Sequence, residues 1–106
     1  MRVTSPWTPS YPDPVRARVG EALALSDRHD IWQGHRWIWA IAPDGREGWV
    51  PDDLVRDGIA TRDYDATELA CQTGDRLTVL DRTHGWVLCR AQDGRTGWVP
   101  EGNLAP

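Results

Sequence analysis

Apolar residues along this chain fall in short runs, and nowhere do they recur at helical spacing over several turns. Leu77-Thr78-Val79-Leu80 and Trp86-Val87-Leu88-Cys89 are β-prone runs bounded by Gly, Asp and Thr, and both are predicted strands. Asp44-Gly45 and Asp93-Gly94 stand between such runs. A tight hairpin needs positive φ, which glycine adopts freely, so these dipeptides predict turns. They would join Trp37–Ala42 to Glu47–Val50, and Trp86–Ala91 to Thr96–Val99. Alternation sends the side chains of Trp49 and Val50, and of Trp98 and Val99, to opposite faces. Valine is the better core residue, so Val50 and Val99 are expected inside, with Trp49 and Trp98 outward.

The same pattern occurs twice. Asp44-Gly45-Arg46-Glu47-Gly48-Trp49-Val50-Pro51 returns as Asp93-Gly94-Arg95-Thr96-Gly97-Trp98-Val99-Pro100, with seven of eight residues matching at a spacing of 49, 93 − 44. Trp37 matches Trp86 at the same offset. Upstream, residues 20–28 match 74–82 at an offset of 54, 74 − 20. The difference means that the first copy carries five extra residues, 54 − 49, between Arg28 and Trp37; this insertion holds Trp32 and Gly34 and is expected to be a longer loop, 29–36. Self-similarity at this period signals one structural unit built twice. Short strands and tight turns predict an all-β chain of two small barrels, a closure that removes exposed sheet edges. The expected boundaries are 1–57 and 58–106, with Arg56-Asp57-Gly58-Ile59 as connector. The offset of 54 aligns residues 6–19 with 60–73, the opening segment of the second copy.

Composition narrows the function. The chain has 106 residues with seven tryptophans and no phenylalanine. The indole N–H wants a partner, which makes tryptophan a demanding core residue and suggests that some lie at a surface. The formal net charge is −4, and all twelve basic residues are arginines without a run. That balance argues against nucleic-acid binding, which depends on phosphate neutralisation. No apolar stretch is long enough to cross a bilayer, and the first residues lack the apolar segment of a secretory signal, so a cytoplasmic protein is expected. Cys71 and Cys89 are too few and too far apart for a zinc site and are expected to be buried thiols. His29, His35 and His84 are scattered, with no catalytic constellation around them. Neither enzyme, cofactor nor metal site is expected.

Residues 60–69, Ala-Thr-Arg-Asp-Tyr-Asp-Ala-Thr-Glu-Leu, resemble the opening Ala-Leu-Tyr-Asp-Tyr and acidic loop of SH3 (Src-homology 3) domains. Gly74-Asp75-Arg76-Leu77, Gly85-Trp86 and Gly97-Trp98-Val99-Pro100 then follow in the family's order. The first copy keeps the last three elements, so the chain resembles bacterial tandem SH3 proteins over nearly its whole length. The resemblance implies two SH3-like barrels that bind peptides, proline-rich ones above all. It implies a groove lined by Tyr64, Trp86, Trp98 and Pro100, with Glu68 as anchor for a ligand arginine or lysine, and by Trp37, Trp49 and Pro51 in the first copy. A polyproline helix is already extended, so binding it costs little ordering entropy, and flat aromatic ridges accept its rings. The chain departs from the family at Arg62 and Asn103, which stand where groove tyrosines are usual, and at Leu54 in the first copy.

The leading expectation is a non-catalytic adaptor that recognises a peptide segment of a partner protein. A structural or regulatory subunit, its aromatic faces covered by the sister barrel or another chain, is the alternative. A third reading takes the acids and tryptophans as a cage for a methyl-lysine-like cation. The N-terminal Pro6-x-x-Pro9-x-x-Pro12-x-Pro14 run has polyproline spacing. It either forms the opening arm of the first barrel or lies in the groove of the second copy, or of a neighbouring molecule, and self-associates.

Overall fold

The computed structural model describes residues 1–106 and contains no α-helix, as the sequence led us to expect. In chain order the strands are β1 (Arg2–Val3), β2 (Arg16–Ala17), β3 (Ala24–Trp32), β4 (His35–Ile41), β5 (Glu47–Pro51) and β6 (Val55–Arg56). There follow β7 (Ile59–Ala60), β8 (Tyr64–Asp65), β9 (Leu77–Thr83), β10 (Trp86–Ala91), β11 (Thr96–Pro100) and, after a 3-10 turn at Glu101–Asn103, β12 (Leu104–Ala105). No helix is long and apolar enough to cross a membrane.

The chain divides into two compact units. The split unit joins Met1–Pro12 to Thr67–Pro106, and the contiguous unit is Asp13–Ala66. Each holds a three-stranded antiparallel sheet, β11-β10-β9 in the split unit and β3-β4-β5 in the contiguous one. The remaining strands pair two by two: β1 with β12, β2 with β8, and β6 with β7. The expected closed barrels are not formed, because the outer edges are met by short irregular segments instead of full strands. Along β11, for example, Trp98 N–H donates to Thr67 O at 2.9 Å and Leu69 N–H donates to Trp98 O at 3.0 Å.

Both Asp-Gly hairpins are present. Gly45 and Gly94 have φ of 88° and 93°, and Ala42 and Arg46, or Ala91 and Arg95, close the turn through Ala42 N–H to Arg46 O and Ala91 N–H to Arg95 O, each 2.8 Å. The five-residue insertion is not a loop. It lengthens the β3–β4 hairpin, whose strands pair from Asp30↔Trp37 to Trp32↔His35 around Gln33-Gly34. Gln33 and Gly34 both have positive φ, 53° and 79°, the conformation of the tight turn that matches strand twist. In the split unit His84-Gly85 makes the equivalent turn directly before Trp86, at φ 50° and 83°.

The largest difference from expectation concerns the opening arms. Of the placements open for the N-terminal run, residues 1–12 do not form the arm of the first copy and pack with the second. Val3 N–H donates to Asp75 O (2.9 Å), Gly74 N–H to Val3 O (2.8 Å) and Leu77 N–H to Met1 O (2.8 Å). Residues 58–60 make the same three bonds to the first copy: Ala60 N–H to Glu21 O, Gly20 N–H to Ala60 O and Leu23 N–H to Gly58 O, each 2.9 Å. The compact units therefore differ from the 1–57 and 58–106 boundaries read from the repeat. The reason is local. Asp57 and Gly58 adopt φ of 54° and 76°, a two-residue turn that folds β7 back on β6 in the contiguous unit. What reads as a connector is a hairpin. Side chains fit the same assignment: Val3 fills a core with Leu69, Cys71, Leu77, Val87, Cys89 and Val99, and full burial of such a residue contributes about 1.5–3 kcal/mol. The arm of the contiguous unit is tied by Asp63 accepting from Val19 N–H (2.8 Å) and by the ion pairs Arg62–Asp53 and Arg16–Asp65.

Candidate functional site

In the split unit, Trp86 opens β10 opposite Thr83 on one side and Pro100 on the other. Its half-buried indole meets Trp7 edge to face, ring centroids 5.5 Å apart at 81°. Such a pair is worth about 0.5–1.5 kcal/mol beyond its buried area. Trp7 is fixed from the other end by its Nε1–H, which donates to Glu68 Oε1 at 2.9 Å. The same oxygen accepts from Ser10 N–H at 3.2 Å and from Ser10 Oγ–H at 3.1 Å. Glu68 thus clasps the arm at two residues. Asn103 holds its other end, donating from Nδ2 to Ser5 O and Pro6 O, both at 3.2 Å, while Thr4 N–H donates to Asn103 O at 2.8 Å. Pro100 ends β11 and is buried, and Glu101 N–H donates to Gly85 O at 2.9 Å, tying the 3-10 turn to the turn before Trp86.

Trp7 belongs to the Pro6–Pro14 run and is not among the expected groove residues. It bridges Cys71 as Tyr64 pairs with Ala17, and 71 and 17 are related by the repeat offset of 54. Trp7 is therefore the structural counterpart of Tyr64, 57 residues upstream, 64 − 7. The expected set of Tyr64, Glu68, Trp86, Trp98 and Pro100 is only partly assembled. Glu68, Trp86, Trp98 and Pro100 belong to the split unit, whereas Tyr64 lies on β8 of the contiguous unit and is 9% exposed. Trp98, expected outward, is only 7% exposed, on a strand paired with β10 on one side and hydrogen-bonded to Thr67 and Leu69 on the other.

In the contiguous unit, Trp37 sits between Asp30 and Pro51 in register and is 8% exposed, so it is a core residue where a surface one was expected. Pro51 is buried too. Trp49 is half-buried and pairs with Trp39 across β4–β5, centroids 5.2 Å apart at 84°. The guanidinium of Arg28 lies over this corner, 4.3 Å from the Trp39 ring and 5.5 Å from that of Trp49, and Trp39 Nε1–H donates to Glu47 Oε1 at 3.0 Å. The corner already holds a cation of its own chain.

The glycine repeated in both Gly-Trp-Val-Pro motifs has a steric cause. A Cβ on Gly97 would lie 2.6 Å from Leu69 N and 2.7 Å from Glu68 C; on Gly48 it would meet only a Val15 methyl at 3.2 Å. Glycine at 97 lets the segment bearing Glu68 press against β11. Cys71 and Cys89 are free, buried thiols, and burial pushes both upward from the usual thiol range. Neither is placed to act as a nucleophile, which needs a stabilised thiolate.

Residues 58–106 match the family model of the variant SH3 domain. No curated protein and no solved structure matches the chain. SH3 domains are in general protein-interaction modules without catalysis. The matched segment includes 58–66, which the structure pairs with the contiguous unit, and omits Met1–Pro12, which completes the split one.

Proposed function

We propose that this protein is a non-catalytic binding module that recognises a peptide segment of a partner protein, and that the contact surface is the Trp7–Trp86 corner bounded by Pro100 and Asn103. The observation that carries this reading is the half-buried, edge-to-face tryptophan pair within the unit that holds most of the SH3-matching segment. Two rings at 81° form a ridge and a wall against which an extended, proline-containing strand lies flat. Glu68 takes a different role from the ligand anchor suggested by the resemblance. With three donors from Trp7 and Ser10 on one oxygen, it is a positioning residue that sets the angle of the Trp7 ring.

Peptide display against the intact chain, followed by NMR titration of the selected peptide, tests the proposal. The Trp7 and Trp86 indole resonances should shift, and Trp86→Ala should weaken binding by about 30-fold, as truncation of an interface hot spot costs at least about 2 kcal/mol. Selected peptides that bind Trp86→Ala as well as the parent chain would refute it. The alternative of a structural or regulatory subunit is favoured by the burial of Trp37, Tyr64 and Trp98, which takes three of the five expected groove aromatics away from a ligand. Under that reading no displayed peptide would move either indole.

A further inference from the structure

We propose that Met1–Pro12 also seats on the 67–106 strands of a second copy of this chain, so that two chains associate by trading arms. Every contact that holds the arm is made to residues far away in sequence. Trp7 and Glu68 are 61 residues apart, Asn103 and Ser5 are 98 apart, and the Met1 ammonium reaches Leu77 O at 2.8 Å across 76. None of these contacts depends on which chain supplies the arm, and an exchanged pair keeps all of them, the usual low-cost route to a dimer.

The two arms of the chain are not equivalent in this respect. Residues 59–66 are returned to their own unit by the Asp57-Gly58 turn, and so cannot leave without breaking the β6–β7 hairpin. Met1–Pro12 runs into the contiguous unit through Pro12-Asp13-Pro14, with no turn that folds it back. Prolines at 9, 12 and 14 fix φ and remove N–H donors, and such a segment acts as a semi-rigid, extended spacer. A stiff spacer carries the arm outward as readily as it returns it.

The competing rearrangement is internal, with 58–66 moving into the slot now held by the N-terminal arm, as the contiguous 58–106 family match would have it. Core volume opposes it. Val3 is 1% exposed among seven buried residues, and its structural counterpart Ala60 is two carbon atoms smaller. Exchange between chains leaves no such void.

The doubly substituted Arg2→Cys/Arg76→Cys chain decides the matter. Arg2 and Arg76 face each other as an antiparallel bridge and both are exposed, and directly opposed strand residues lie within disulfide reach. Equal amounts of isotopically light and heavy chain are refolded together at micromolar and at millimolar concentration and then oxidised. The expected result is a cross-linked peptide of mixed isotope, rising with concentration, and a doubling of mass by light scattering for the unsubstituted chain. An intrachain bridge alone at both concentrations would overturn the proposal. So would a dimer by light scattering whose bridges are all of one isotope, since it would use another surface. A substituted chain that does not refold leaves the light scattering of the unsubstituted chain to decide, with a monomer at millimolar concentration counting as refutation.

Discussion

Replacing Gly97 with alanine should unfold the split unit well before the same change at Gly48 disturbs the contiguous one. The new Cβ at 97 meets two backbone atoms, at 2.6 and 2.7 Å, so Glu68 and Leu69 must move as a piece. Overpacking of this kind costs about 1–3 kcal/mol. The movement also stretches the two hydrogen bonds that Trp98 makes with Thr67 and Leu69, each worth about 0.5–1.5 kcal/mol net. Lower entropy of the unfolded alanine chain returns only about 0.4–1 kcal/mol. The balance is a loss of roughly 2–4 kcal/mol, or roughly 8–16 °C in Tm at the low end of sensitivity for a domain near this size. At Gly48 the obstacle is a side-chain methyl at 3.2 Å that can turn aside, so a change within about 1 kcal/mol is expected. Both variants are compared by urea and thermal unfolding, followed by tryptophan emission. A Gly97→Ala chain as stable as the parent, or a Gly48→Ala chain that loses more, would refute the steric account of the repeated glycine.

Glu68→Gln keeps the shape but removes the charge from three hydrogen bonds; a loss of about 1–2 kcal/mol and faster exchange of the Ser10 amide and Trp7 indole proton are expected, read by hydrogen exchange. Gly58→Val places a β-branched residue at φ 76°, which costs about 1–3 kcal/mol, and should loosen β7 and β8 while leaving the β9–β10–β11 amides protected. Cys71 and Cys89 should resist alkylation in the native protein and react fully in denaturant. Because burial raises both thiols above the usual value of 9.0, the unfolded chain ionises first. Their contribution is therefore whole below that pH and declines as pH rises through the folded values, so unfolding titrations should show stability falling on the alkaline side.

Much of the architecture could be read from residue order. The Asp-Gly turns, the two Gly-Trp-Val-Pro strands and the absence of helices follow from positive-φ chemistry and alternation, both of which act within a few residues. The arm assignment could not be read from the repeat, since the backbone bonds made by Met1–Val3 to the second copy and by Gly58–Ala60 to the first are the same bonds. What distinguishes them is the Asp57-Gly58 turn and the bulk of Val3 against Ala60, and the turn carries the same dipeptide signal as 44–45 and 93–94. Trp37 and Trp39 share the central strand β4, yet the first is buried and the second half-buried, so strand position alone does not decide; Trp98 is buried on β11, whereas Trp49 lies half-buried beside Trp39 and Arg28. Period-2 alternation tells one face from the other but not which is covered. The role of Trp7 was concealed because its partner Glu68 is 61 positions away.

The turn at Asp57-Gly58 has one more consequence, for a protein nicked there by a protease. The fragment ending at 57 would keep its first twelve residues seated in the other piece, and the piece beginning at 58 would keep its leading strand seated in the first. Backbone cleavage at that point would leave two peptides clasped by reciprocal strands, separable on a denaturing gel and inseparable by native chromatography.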